Sequence, residues 1–365
     1  MIPLKHLIRR CKNSLNRLSD KCQSVSVASQ RVKQQNGISY SRQYSELLTL
    51  FMLKRLGPLM YYEAQLWRPE LSFKDKMGFL NSQQYQRRLA QLNPVPYRKL
   101  SQHKVTEKAL LQLAGIPTPA FAGFFHPQKG FAQRGEPLRC ATELSDMLSL
   151  CIGKTLCFKP TEGWGGSGFV AAQVKAENER LYLIPLGQNE KLSVPEFVSR
   201  YLRSAQGMLI EHYLVQHSVM ADFNPDSVNT LRIWVKQTHG EAQVLGVILR
   251  IGRRHAVVDN ASQGGFIARV NMMTGQLQRA MTTELLPVEF DTHPDSGVQL
   301  TGRQLPYWDE CLALARKTLS VFPHSRFAGL DMAISKTGPV IIELNLEPDK
   351  VTARNFGLPL KQLLS

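Results

Sequence analysis

Gly329-Leu-Asp331-Met-Ala-Ile334, followed by Gly338-Pro-Val-Ile-Ile-Glu343-Leu-Asn345-Leu-Glu-Pro348, reads as two adjacent β-strands joined by the tight turn Ser335-Lys336-Thr337-Gly338. Residues two apart on a strand share a face, so Glu343 and Asn345 point the same way, and Asp331 joins them from the neighbouring strand. Leu330, Met332, Ile342 and Leu344 take the alternate positions and belong to a core. Three oxygen donors on one face suit a hard cation such as Mg²⁺. A solvated strand face is the bland alternative.

Upstream, Lys159-Pro-Thr-Glu-Gly163-Trp-Gly165-Gly166-Ser167-Gly168 sets a lysine at a strand end before four glycines in six residues. Glycines let backbone N–H groups approach an anion, and the lysine adds a point charge, which together suit a polyphosphate. A flexible hairpin tip is the alternative. Two simpler phosphate motifs fail on spacing: Gly153-Lys154-Thr155 lacks the glycine that Leu148 replaces, and no G-x-G-x-x-G follows a first strand.

Between these segments, Asn229 stands just before a strand and Arg232 within it, while Arg250 ends the next strand. Guanidinium forks on facing strands can hold a carboxylate or a transferring phosphoryl group, although each alone is as readily a pairing arginine. Asp259-Asn260-Ala-Ser-Gln-Gly264-Gly265 is a polar loop, either substrate-facing or plain.

The chain has 365 residues, 43% hydrophobic and 20% charged, which excludes disorder, collagen and coiled coil. Its 45 Lys and Arg against 29 Asp and Glu give a net charge of +16. Residues 1–110 hold 20 of the cations and 6 of the acids, so the excess belongs to the N-terminal third. Six cysteines show neither CxxC pairs nor a matching His spacing, so a reducing compartment without a zinc site is expected. No apolar run approaches a membrane span, and a cytoplasmic location is expected.

The first 45 residues carry nine Lys/Arg and one acid, Asp20. Leu4, Ile8, Cys11, Leu15, Leu18 and Cys22 form a helical stripe with Lys5, Arg9, Lys12 and Arg17 off it. Such a segment packs on the body, lies on an anionic membrane surface at its inner face, or serves as a transit peptide. Asn93-Pro-Val-Pro96 breaks the helical pattern, and the domain boundary is expected there. A basic, mainly helical region spans 1–95 and the main domain 96–365, with short strands from about residue 155 and helices at Val194–Ser204 and Tyr307–Phe322. The order is α+β rather than a regular βαβ alternation.

Taken in order, these pieces resemble the ATP-grasp superfamily over about residues 100–350. They are Lys104 opening a helix that ends in Gly-Ile-Pro-Thr-Pro, Lys159-Pro before a glycine loop, the hinge-like Leu209-Ile-Glu211-His212-Tyr213, and Asp331 with Glu343-Leu-Asn345. Ser-Val-Asn-Thr-Leu-Arg232, the Asp259–Gly265 loop and Glu-Leu-Asn-x-x-Pro-Asp look most like the sugar-transfer-associated ATP-grasp proteins, which are similar to glutamate-ligase and tubulin-tyrosine-ligase enzymes.

The resemblance implies two subdomains clasping ATP, a lid at about 118–208 and a metal-binding part at about 209–365. It implies that Lys104 and Lys159 contact phosphates and that Gly163, Gly165, Gly166, Ser167 and Gly168 close over them. Glu211, His212 and Tyr213 would line the adenine and ribose, with His217 or Asp222 as the ribose partner. Asp331, Glu343 and Asn345 would bind two Mg²⁺, with Mn²⁺ as a substitute. No arginine precedes Asp331 as in D-alanine ligases, since Ala328 and Gly329 stand there, so Arg232 or Arg250 must serve the phosphoryl group, beside Lys159. Asn229, Asp259, Asn260, Gly264 and Gly265 would face substrate.

The activity implied is an ATP-dependent, ADP-forming carboxylate-amine ligation through an acyl phosphate. It would join an amino acid or sugar acid, free or on a glycan, to an amine in surface polysaccharide biosynthesis. Phosphorylation of a hydroxyl by the same site is one alternative. A non-enzymatic, basic nucleic-acid-binding or membrane-binding protein is another, but no RRM, KH or zinc signature appears and nucleic acid is not expected.

Overall fold

The computed structural model describes residues 20, 22–163, 165–259, 263–350, 352–356 and 360–364. Most of the residues 1–22 stripe therefore lies outside the described residues; of its members only Cys22, exposed, is within them. No helix among the described residues is long and apolar enough to cross a membrane.

The chain divides into two compact units. The smaller joins residues 1–88 to 283–288 and 349–365. It is helical: α1 over 22–36, α2 Tyr40–Lys54, α3 Pro58–Glu63, α4 Phe73–Met77 and the first part of α5 Ser82–Leu92. Val32, Leu50, Tyr61, Tyr62 and Leu66 fill its core. Inside it, Tyr62 donates to the buried Gln43 amide oxygen at 2.9 Å, which satisfies a polar pair that would otherwise oppose burial. The residues after 348, expected to belong with the main domain, pack with this unit: the Lys361 amide donates to the Gly78 carbonyl at 3.0 Å.

The larger unit, 89–282 and 289–348, holds among its described residues two antiparallel sheets of seven strands each. It opens with α6 Val95–Gln102 and α7 Lys104–Leu113; Pro96 sits in the first turn of α6, where the missing N–H has no partner to lose. α7 stops at Gly115, whose φ of +65° only glycine adopts freely.

The strands of the first sheet are β1 Phe121–Phe125, β2 Phe131–Ala132, β3 Thr155–Pro160, β4 Val170–Glu177, β5 Arg180–Pro185, β6 Leu192–Ser193 and β7 Met208–His212, in the order β2-β1-β7-β3-β4-β5-β6. Helices α8 Ala141–Ser149 and α9 Val194–Tyr201 cover it through Leu144, Leu148 and Phe197, and a Ser193–Glu196 capping box starts α9. β7 pairs with both β1 and β3, so the expected boundary at 208/209 falls inside this sheet, which extends through His212.

The second sheet runs β12-β11-β10-β9-β8-β13-β14. Its strands are β8 Thr230–Thr238, β9 Glu241–Ile251, β10 Phe266–Val270, β11 Leu277–Met281, β12 Glu289–Phe290, β13 Phe327–Ser335 and β14 Gly338–Asn345. α10 Ser218–Phe223 precedes β8, and α11 Trp308–Ser320 buries Cys311, Leu314, Ala315 and Leu319 against the sheet. Two short helices, α12 Thr352–Asn355 and α13 Leu360–Leu364, follow in the helical unit.

Candidate active site

Register brings the site together. In the second sheet Arg232 on β8 lies opposite Asp331 on β13, and Asp331 opposite Glu343 on β14. Asn345 lies opposite Gly329, and Thr230 opposite Arg250. A slip of one residue would turn this whole row into the core, and the buried Leu330, Met332 and Leu344 forbid it. Ile342, expected in the core with them, is half-buried and lines the site, because the ladder shifts register between Asp331 and Met332.

A cavity of about 220 Å³ opens onto this row, and it is also lined by β3, by the glycine loop after it and by the end of β7. Of the expected residues, Lys104, Lys159, Gly163, Gly165, Gly166, Ser167, Glu211, His212, Tyr213, Arg232, Arg250, Asp259, Asp331, Glu343 and Asn345 line it.

Charge inside is tightly paired. Arg232 Nε lies 2.6 Å from Asp331 Oδ1, and Arg250 Nη2 lies 2.8 Å from Asp331 Oδ2. Arg250 also donates to Thr230 Oγ at 3.0 and 2.7 Å, and Thr230 in turn donates through its hydroxyl and its amide to Asp259. Burial pushes Asp259 above the usual carboxylate range, with Arg250 opposing that shift. On the other side, Lys104 Nζ reaches Glu343 Oε1 at 3.0 Å.

Glu211 differs from expectation. Its carboxylate is 1% exposed and paired with Lys159 at 2.6 Å and with Lys108, so its side chain is committed to two lysines rather than presented to a nucleobase. Burial alone would raise its pKa, but Lys159 and Lys108 outweigh that and hold it below the usual range. Burial pushes Lys108 down, whereas Glu211 holds Lys159 above its usual value in spite of burial. Lys108 also donates to the Pro119 carbonyl at 2.7 Å.

Several expected residues are elsewhere. Asn229 is fully buried: its amide nitrogen donates to Gln216 Oε1 and to the Met220 and Asn224 carbonyls, and its oxygen accepts from the Gly252 amide. It therefore ties a loop together and does not line the site cavity. His217 caps α10, its Nδ1 accepting from the Val219 amide, and Asp222 pairs with Arg303 on the surface, so neither lines the cavity. Nor do Gly168, whose absent Cβ would meet Pro160 at 2.7 Å, or Gly264 and Gly265. Asn260 lies outside the described residues.

Sequence reasoning missed Lys108, Glu107, Thr230, Arg98 and Asn93. Glu107 accepts from the Leu344 amide, while Arg98 and Gln102 hold Glu347. Asn93 clamps β13 to the segment after β14 through the Phe327 and Leu346 carbonyls, both at 2.7 Å. A lysine and a glutamate at 107–108, beside the expected Lys104 on one short helix, were the available signal. Gly329 explains the absence of an arginine before Asp331: a Cβ there would come within 2.8 Å of Pro348.

The donor set fits a nucleotide and a hard cation. Lys104, Lys159, Arg232 and Arg250 face one cavity with four carboxylates, Glu211, Asp259, Asp331 and Glu343, and the Asn345 amide oxygen; Asp331 Oδ1 is buried and held only by its ion pair with Arg232.

No curated protein matches the chain. Solved structures similar to it include the carboxyaminoimidazole ribonucleotide synthase of Aspergillus clavatus complexed with ATP, at 13% identity and a TM-score of 0.43, over 74% of this chain and 54% of that one. The N5-carboxyaminoimidazole synthetase of Staphylococcus aureus complexed with ADP follows at 12% and 0.40, over 69% and 46%. The L-amino acid ligase of Bacillus licheniformis matches at 13% and 0.38, over 73% and 48%. The chain thus spans about half the length of these structures. The family model described as sugar-transfer associated ATP-grasp matches residues 81–358, which take in both sheets and every lining residue, and the chain belongs to that family.

Proposed function

We propose that the protein is an ATP- and Mg²⁺-dependent, ADP-forming carboxylate-amine ligase. The observation that carries this reading is the meeting of four cations with Asp331, Glu343 and Asn345 around one cavity beside a glycine loop. Lys104 and Lys159 would bind phosphates, the loop from Gly163 to Gly168 would exclude water, and His212 and Tyr213 would line the nucleobase. Glu211 and Lys108 would position Lys159. Asp331, Glu343 and Asn345 would hold Mg²⁺, whose charge offsets that of the phosphates.

A substrate carboxylate oxygen attacks the γ-phosphorus, giving an acyl phosphate and ADP. An amine nitrogen then attacks the acyl carbon, phosphate leaves, and the amine gives up a proton. Arg232 and Arg250 supply fixed positive charge to the transferring phosphoryl group, and rate comes from positioning and charge rather than from a covalent nucleophile of the protein. The family's association with sugar transfer supports an amino acid or sugar acid as carboxylate and a glycan precursor as the eventual acceptor, in surface polysaccharide biosynthesis at the cytoplasmic side of a membrane. We assign the chemistry to the main domain and a supporting role to the basic helical region.

The test is an ATP/Mg²⁺ reaction with hydroxylamine as surrogate amine over a panel of amino acids and sugar acids, with Asp331→Asn as the blank. Hydroxamate formed with ADP, and lost in the blank, supports the reading and names the carboxylate. ADP with a phosphorylated alcohol and no hydroxamate replaces it with a kinase.

A further inference from the structure

Helix α2 presents two opposed faces. Gln43 and Leu50 turn into the core of the helical unit. Tyr40, Tyr44, Leu48, Phe51 and Met52 follow at spacings of four, four, three and one, so they form a single stripe along the other side. All five stand exposed, Leu48 and Met52 at 64% and 67%. A contiguous apolar stripe in water is unfavourable and marks a surface that meets something less polar.

The charged side chains of α1, α2 and the link between them are mostly cations. Lys33 Nζ lies 4.5 Å from the centroid of the Tyr40 ring at one end, and the Arg55 guanidinium 5.6 Å from that of Phe51 at the other. From residue 22 to 56 there are five cations, Arg31, Lys33, Arg42, Lys54 and Arg55, against a single acid, Glu46. That acid is already engaged by Arg42, Lys76 and Tyr61. The complementary partner is therefore apolar within and anionic at its surface.

We infer that this face of α2 docks the protein on an anionic phospholipid bilayer. Leu48, Phe51 and Met52 enter the boundary between head groups and acyl chains, and Lys33 and Arg55 meet the head-group phosphates. Tyr40 and Tyr44, whose rings are 6.2 Å apart and stacked, have the apolar body and polar tip that suit the head-group level. A second copy of the chain is a poorer occupant, because two such faces brought together oppose cation to cation. Its residues are separate in sequence from the stripe of residues 4–22, and it does not depend on the ligase reading.

The experiment is co-sedimentation of the full chain with vesicles of phosphatidylcholine containing phosphatidylglycerol, against vesicles of phosphatidylcholine alone. Wild type is expected to sediment with the anionic vesicles and to be released by salt. Leu48→Ser with Met52→Ser should weaken binding at least about tenfold through lost apolar burial. Lys33→Gln with Arg55→Gln should weaken it about thirtyfold, equivalent to about 1 kcal/mol for each cation. Unchanged thermal midpoints would show that both variants fold. Equal binding by wild type and folded variants overturns the inference, as does loss of binding only on removal of residues 1–19. Failure of wild type to bind anionic vesicles, with or without a stripe-dependent dimer in sedimentation velocity, also overturns it.

Discussion

Asp331 and Arg232 face each other across β13 and β8 and are joined twice, Nε to Oδ1 at 2.6 Å and Nη2 to Oδ2 at 3.1 Å. The carboxylate best placed for a cation is thus already neutralised by a guanidinium, and Arg250 adds a second. On the proposed reading, Asp331 would help to hold the cation and Arg232 and Arg250 would be freed to meet phosphate oxygens.

Asp331→Asn is therefore expected to lower ADP formation at least about a hundredfold, a magnitude typical of losing one fixed electrostatic group. It should also destabilise the fold by about 3 kcal/mol, because Arg232 and Arg250 lose their shared counter-charge. Urea unfolding and an ADP-release assay check both. Normal ADP release by the variant would remove Asp331 from the site.

Glu211 contributes stability with a defined pH signature. Its folded pKa lies below the ordinary 4.5, so the contribution is complete above that value and is lost as pH falls through the lower folded pKa. Glu211→Gln leaves Lys108 and Lys159 without their counter-ion and should destabilise by about 3 kcal/mol at neutral pH. The gap from wild type should close in acid. Denaturation at two pH values decides it, and a gap of the same size at both would contradict the assignment.

Asn229→Ala acts on folding rather than on substrate. Its lost amide leaves the Gly252 N–H and the Met220 and Asn224 carbonyls short of partners in a buried loop, which costs about 2–4 kcal/mol. The thermal midpoint should fall while the KM for each substrate of the folded fraction stays the same.

Cysteine chemistry follows burial. Burial pushes the thiols of Cys157 and Cys311 up to about 12, whereas Cys22 and Cys140 are exposed. Iodoacetamide on the native protein near neutral pH should modify Cys22 and Cys140 and spare Cys157 and Cys311 until denaturant is added. Peptide mass mapping reads the result.

Much of the fold was legible because its signals are local. The period-two alternation through Asp331 and Glu343 and the glycines after Lys159 each declare themselves within a dozen residues, whereas the boundary expected at the prolines falls instead at 88/89 within α5, and Pro96 opens helix α6 rather than ending one. The short strands β2, β6 and β12, two residues each, carry no such period, and α8 and α10 went unread among loop-like neighbours.

The candidate site was legible as a set of residue types and less so as a set of roles. Glu211 looked like a hinge residue, yet its meaning depends on Lys108 lying against it from α7. The family resemblance made Asn229 substrate-facing; only the loops around Gln216 and Gly252 bury it.

By itself the sequence determined which residues can bear charge or bind oxygen-rich ligands, where strands and turns fall, and the family to which they belong, since these follow from side-chain chemistry and short-range backbone preference. Tertiary structure alone decided which charges pair, which polar groups are buried, and that the residues after 348 pack with the helical unit. Arg232 and Asp331 are 99 positions apart and Lys104 and Glu343 are 239 apart. Partners at such separations are chosen by sheet register and by exclusion of water, which are properties of the packed chain that no local stretch of sequence contains.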